Sequence, residues 1–168
     1  MLIMRSKKNP ISAILAIFTC FLCLCSFWVV PPALALDYNR ESLINVDFSG
    51  RDLRDGTFTK AVVRNSDFSN TNLQGVSLFG ATFKDANLTG SDLRNATLDA
   101  ARFVRSNLTN ALLEGAFAFN ARFDRSTIDG ADFTDVMLRE DTQKFLCSIA
   151  TGTNPITGRH TRDTLLCP

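Results

Sequence analysis

ATFKD ANLTG SDLRN ATLDA, residues 81–100, is one five-residue pattern written four times. Each copy opens on Ala or Ser and carries Phe or Leu third. Extending the frame outward from this stretch keeps it intact from ESLIN at Glu41 to VMLRE ending at Glu140, twenty units without an insertion. The third residue is Leu, Phe, Val or Ile in nineteen of the twenty, Ala118 being the exception. The fifth is Gly or Asn in twelve. A fixed short period held over that length is the signature of a repeat architecture.

Five fits neither the 3.6 period of an α-helix nor the simple alternation of a strand. Within a unit, however, the first and third residues are two apart, so in an extended chain both side chains face one way. Gly and Asn at the fifth position suit a corner in an unusual backbone conformation. Each unit therefore reads as a short straight side and a corner, and such sides bury their apolar residues only by coiling and stacking. The chemistry sorts when every fourth unit is stacked. Ala61, Ala81, Ala101 and Ala121 form one pure column, with Phe83, Phe103 and Phe123 beside it; Leu53, Leu73, Leu93 and Leu113 form another.

The units ANLTG, SDLRN and ADFTD resemble the pentapeptide-repeat family, whose consensus is A(D/N)LXX. The resemblance covers residues 41–140. It implies an all-β solenoid, a right-handed quadrilateral β-helix with twenty residues per coil and hence about five coils, roughly 24 Å long at the strand spacing of a sheet.

Outside the repeats, Arg5, Lys7 and Lys8 precede an apolar run from Ile11 to Val30, then Pro31-Pro32 and Ala33-Leu34-Ala35. Residues 1–35 read as a signal peptide cleaved after Ala35. The competing reading is an uncleaved anchor, since twenty apolar residues can span a bilayer. Cys20, Cys23 and Cys25 leave with the leader, and so do three positive charges. The remainder holds Lys+Arg 15 against Asp+Glu 17 and two cysteines, Cys147 and Cys167. An even pair in an exported chain reads as a disulfide, worth on the order of 3 kcal/mol across this loop. A regulatory bridge remains open at this point, as does a metal pair.

Residues 36–140 are thus the solenoid, counted as twenty repeats from Glu41, and 141–168 a helical C-terminal cap. Asp141 to Ala150 reads as a helix with Asp141 as its N-cap and Gly152 as its stop. Asn154-Pro155 and Thr157-Gly158 read as turns, and Thr161 as the cap of a last short helical turn. At the other end, Glu41 and Arg51 put charges at inward-type first positions only in the first coil, so both are expected on the rim. FLCSIATGTNPITGRHTRDTLLCP, the C-terminal tail, is similar to that of pentapeptide-repeat proteins of the thylakoid lumen in cyanobacteria and chloroplasts, which share a paired-cysteine ending. The short leader favours a cyanobacterial member. The resemblance implies an exported protein of the thylakoid lumen or periplasm, and no catalytic activity.

The second, fourth and fifth positions are expected to face outward and carry function. One face has Arg64, Lys84, Arg102, Arg105, Arg122 and Arg125 against Asp85 and Asp124. Opposite lie Asp52, Asp55, Asp92, Glu114, Asp132 and Asp135 against Arg54 and Arg94. Between them run ladders of Asp47, Asp67, Asn87, Asn107 and Ser49, Ser69, Thr89, Thr109, read as short polar side chains satisfying one another. The fourth face presents Phe79, Phe117, Phe119 and Met137. Clustered exposed aromatics mark interaction surfaces, so this face is the candidate site for an unidentified protein partner, with a homodimer compatible with the same patch. The basic face suits an acidic partner or membrane headgroups.

Other functions lose ground on composition. Near-neutral charge, with Lys+Arg 18 and Asp+Glu 17, argues against nucleic acid. One His excludes a multi-histidine metal site. The glycines fall at corners and not in a phosphate loop. No cofactor and no stable membrane insertion after leader removal are expected. Two alternatives stand: a redox-responsive protein acting through Cys147 and Cys167, and a DNA mimic binding topoisomerase, as in another branch of the family. The latter requires a cytosolic location and an acidic groove.

Overall fold

The computed structural model describes residues 36–168, and the leader reading lies outside them. The chain winds with a strict offset of twenty. On one side, β1 (Ser42–Ile44), β2 (Val62–Arg64), β3 (Thr82–Lys84), β4 (Arg102–Val104) and β5 (Arg122–Asp124) form a five-stranded parallel sheet in sequential order. Its register sets Phe83 beside Phe103 and Phe103 beside Phe123. The other three sides are single-residue ladders at the same offset, such as Asp47–Asp67–Asn87, Asp52–Asn72–Asp92 and Thr57–Ser77–Thr97. Backbone bonds run between coils throughout: Phe48 N–H donates to the Asp67 carbonyl at 2.8 Å and Asp67 N–H to that of Val46 at 2.9 Å. Five strands stack, and between β1 and β5 the chain completes about four turns, slightly fewer than the five coils expected.

First and third side chains fill the interior as the pattern requires. Ala61, Ala81, Ala101 and Ala121 are buried, and so is the Leu53–Leu113 ladder. Phe83, Phe103 and Phe123 stack face to face, with centroids 5.3 and 5.1 Å apart. Buried first-position hydroxyls reach carbonyls one turn back, Thr71 to Phe48 and Ser106 to Phe83. Nearly every fifth residue has a positive φ. Two corner columns alternate Asn and Gly: Gly50, Asn70, Gly90, Asn110, Gly130 in one, and Gly75, Asn95, Gly115 in the other. A Cβ on Gly90 would lie 2.6 Å from Asn70 Oδ1, and one on Gly115 2.6 Å from Asn95 Oδ1. Each Asn side chain thus occupies the room that glycine leaves in the next coil.

The repeats begin one unit earlier than Glu41. Asp37 bridges Thr57, and Arg40 turns the corner at φ 60°. LDYNR, residues 36–40, is that extra unit, with Tyr38 in the third position. The Tyr38 ring stacks on Phe58 at 4.8 Å and meets Phe48 edge-on at 5.3 Å, closing the open end of the core. Glu41 and Arg51 are exposed as expected, and the Arg51 guanidinium lies 5.6 Å from the Phe48 ring centre.

At the far end, α1 (Glu140–Ile149) and α2 (Thr161–Thr164) close the stack. Leu146, Ala150 and Leu165 are buried against its last coil. Three details differ from expectation. The α1 N-cap is Arg139, with Glu140 and Asp141 inside the first turn, where carboxylates favour the dipole equally well. Gly152 does not stop the helix, which ends at an extended Ala150. Its φ of +77° and its lack of a Cβ let the chain pass against Asp129 and Gly130. Thr161 is the first residue of α2 and not its cap, which is His160.

Candidate functional site

Short polar side chains hold one of the outer faces locally. Asp67 Oδ1 accepts from Ser69 N–H at 2.8 Å and from Asn87 Nδ2 at 3.1 Å. The Thr89 and Thr109 hydroxyls each donate at 2.7 Å to the Asn two residues before. The polar ladder is therefore structural.

Aromatic side chains stand on the face built by units 76–80, 96–100, 116–120 and 136–140. Phe79, Phe117, Phe119 and Met137 are exposed at 38, 45, 47 and 57%. Phe117 and Met137 are register partners on adjoining rungs, and Phe119 belongs to the same unit as Phe117. Phe79 lies two rungs from Phe119, and Asp99 intervenes in that column. The structure therefore groups three of the four residues and sets Phe79 apart. Ala118 beneath them is fully buried, while Phe117 and Phe119 stay about half exposed.

Six cations lie on or beside the β1–β5 sheet. Arg105 grips Asp85 one rung back through Nε–Oδ1 and Nη2–Oδ2 contacts, both 2.7 Å. These bonds hold the Asp85 carboxyl below its ordinary value. Arg122 pairs with Asp124 at 3.2 Å. Arg64, Lys84, Arg102 and Arg125 form no ion pair among the described residues.

The acidic side is partly covered by the tail, which corrects the expectation that every second position faces outward. Leu112 and Asp132, both second-position residues, are buried. Arg159 bonds Glu114 at 3.1 Å, Asp132 at 3.3 Å and the Thr134 hydroxyl at 2.8 Å. Burial alone would raise the Asp132 pKa. Hydrogen bonds from the Thr134 side chain and backbone and from Thr157, with the Arg159 charge, outweigh it and leave the carboxyl below its ordinary value. Asp52 and Asp92 are each paired with the arginine two residues on, Arg54 and Arg94, at 2.6 Å.

Sequence reasoning missed the residue that fixes the tail. Asn154, assigned only to a turn, is fully buried. Its Nδ2 donates to the Gly130 carbonyl at 2.9 Å and the Asn110 carbonyl at 3.2 Å. Its Oδ1 accepts from Ile156 and Thr157 N–H. Polarity gave no warning of burial, because Asn is mostly exposed. Cys147 and Cys167 are bonded, with Cα atoms 5.6 Å apart. Arg162 donates to the Cys147 and Pro168 carbonyls across that bridge. His160 Nδ1 lies 2.6 Å from the Thr153 hydroxyl where the two residues pair as an antiparallel bridge. A cleft of about 640 Å³ opens between the last rung and α2, lined in part by Phe133, Val136, Leu138 and Leu166.

Comparison with known proteins agrees with this architecture. The family model described as pentapeptide repeats matches residues 42–78 and 77–115, in eight copies. A curated relative, thylakoid lumenal 15 kDa protein 1, chloroplastic, of Arabidopsis thaliana, is 62% identical over 40 residues. That match spans 24% of this chain and only 18% of the relative. The solved structure of a pentapeptide-repeat protein from the Arabidopsis thaliana thylakoid lumen is 41% identical, covers 79% of this chain and 85% of its own, and has a TM-score of 0.65. With the offset-of-twenty winding and that identity over most of both chains, the protein belongs to the pentapeptide-repeat family.

Proposed function

We propose that this chain is a non-catalytic interaction protein of the thylakoid lumen, exported by its leader, that engages a protein partner through the aromatic face of Phe79, Phe117, Phe119 and Met137. The lumenal location rests on the relatives and on residues 1–35. One observation carries the choice of face: Phe117, Phe119 and Met137 are about half exposed on adjoining rungs, over the buried Ala118. Completing the burial of each such side chain on a partner is worth about 1 kcal/mol, half of a full burial.

The test is cross-linking in the native compartment, comparing wild type with a Phe79→Ser, Phe117→Ser, Phe119→Ser variant checked for intact β-structure by circular dichroism. Loss of the cross-linked partner in the aromatic variant is expected, and its retention rules this face out. Light scattering on the purified protein separates a heterologous partner from a second copy.

A redox-responsive role is favoured by one specific arrangement: the Cys147–Cys167 bridge ties α1 to the C-terminal residues over the capped end. Thiol titration during equilibration with glutathione buffers decides it. A bridge that opens only well below the compartment's potential leaves a structural role alone.

A further inference from the structure

The β1–β5 sheet is a face on which the chain supplies too few counter-ions. Across the solenoid, Asp52, Asp92, Glu114 and Asp132 each have an arginine of this chain at 3.3 Å or less, and Arg159 is delivered by the tail. On the sheet only Arg105 and Arg122 are matched. Arg64, Lys84, Arg102 and Arg125 are left over, one on each of four successive rungs. The stacking compounds the excess. Arg64 is the in-register partner of Lys84, and Arg102 that of Arg122. Like charges directly opposite on neighbouring strands destabilise a sheet. An anion lying across the face removes that repulsion.

Shape decides what kind of anion. These cations are not gathered around a cavity, as a single phosphate or carboxylate requires. They are spread over a sheet of five three-residue strands, about 19 Å tall at the inter-strand spacing. They occupy the second, fourth and fifth positions, so they span its width as well as its height. A broad face with one free cation on each of four of its five rungs matches an array of separate negative charges in a plane. We propose that this face docks the protein on an anionic lipid bilayer surface, as a peripheral contact with no inserted segment. The proposal uses a different side of the solenoid from the aromatic face and leaves that face free for a protein partner.

The test is co-sedimentation of the processed protein, recovered after export, with vesicles of phosphatidylcholine alone or mixed equally with phosphatidylglycerol. Binding to the mixed vesicles, weakened by added salt, is expected. An Arg64→Gln, Lys84→Gln, Arg102→Gln, Arg125→Gln variant loses roughly fivefold in affinity per charge, on the order of several hundredfold in all. The Phe79→Ser, Phe117→Ser, Phe119→Ser variant keeps its vesicle binding, which separates this contact from the aromatic one. Equal binding to neutral and anionic vesicles overturns the proposal, as does a four-site variant that binds like wild type. Binding of soluble polyglutamate without binding of the vesicles also overturns it and assigns the face to an acidic protein.

Discussion

Replacing Asn154 by Ala should release the C-terminal cap while the solenoid beneath keeps its fold. The substitution removes four hydrogen bonds made by one fully buried side chain. It leaves the carbonyls of Asn110 and Gly130 without the donor that now serves them. A typical bond contributes about 1 kcal/mol net, and a buried group left unpaired costs about 1–3 kcal/mol. Two of the four partners are N–H groups of a surface turn that water can reach, so the expected loss is roughly 2–4 kcal/mol. At roughly 4 °C per kcal/mol for a chain of this size, the melting temperature should fall by about 10 °C. Because each coil touches only its neighbours, the damage should be local. Amide exchange is the discriminating assay. The N–H groups of Gly130 and Thr161, bonded to Thr151 and Gly152, should lose protection. That of Phe68, deep in the stack, should not. The disulfide closes the same loop in both proteins, so the comparison isolates Asn154. Asn154→Asp keeps the shape but turns the donor into a second acceptor facing two carbonyls, and should be at least as damaging at neutral pH. A melting temperature within 2 °C of wild type for Ala, or full stability for Asp, would refute the assigned donors.

Three further outcomes follow from other positions. Phe103→Ala removes the middle ring of the Phe83–Phe103–Phe123 stack and should cost ~3–5 kcal/mol in denaturant unfolding, because neighbouring rungs are held by their own backbone ladders and cannot collapse into the void. Leu166 holds φ 53° just past α2, where Cys167 N–H bonds the Arg162 carbonyl and Leu166 N–H that of Asp163, and its side chain is 82% exposed. Leu166→Gly should therefore stabilise the cap by about 1 kcal/mol, read as a rise in melting temperature. The depressed Asp132 carboxyl contributes stability that is full above its unfolded pKa of 3.8 and is lost as pH falls through the lower folded value. Acid unfolding of Asp132→Asn should lack that component below about pH 4. A variant whose acid limb matches wild type would exclude Asp132 as its source.

The repeat was legible because packing imposes it at every fifth residue. An alanine column such as Ala61 to Ala121 and a Phe column such as Phe83 to Phe123 are consequences of one geometry, so reading either predicts the other. What escaped was aperiodic. Tyr38 sits in the third position of LDYNR, but Tyr is foreign to the pattern, so the sequence frame stops short of that unit. Asn154 and Arg159 act through contacts 24 to 45 residues away in sequence, and no local pattern encodes a tail folding back. Asp132 belongs to the acidic column, yet it is covered because that tail lies on it. Of the aromatic face, the exposure was foreseen and the grouping was not. Phe79 and Phe119 share a column with Asp99 between them, while Phe117 and Met137 pair on adjoining rungs.

The alternation of Asn and Gly at two corners has a consequence for how the chain avoids misthreading. Near-identical units invite a turn to settle on the wrong neighbour, skipping one and leaving it looped out. Skipping a turn would seat Asn70 under Asn110, where a Cβ now stands in the space its amide needs. The corners therefore behave like a ratchet whose teeth refuse a slip of one turn, and among copies that look interchangeable each turn tells its neighbour from the next but one.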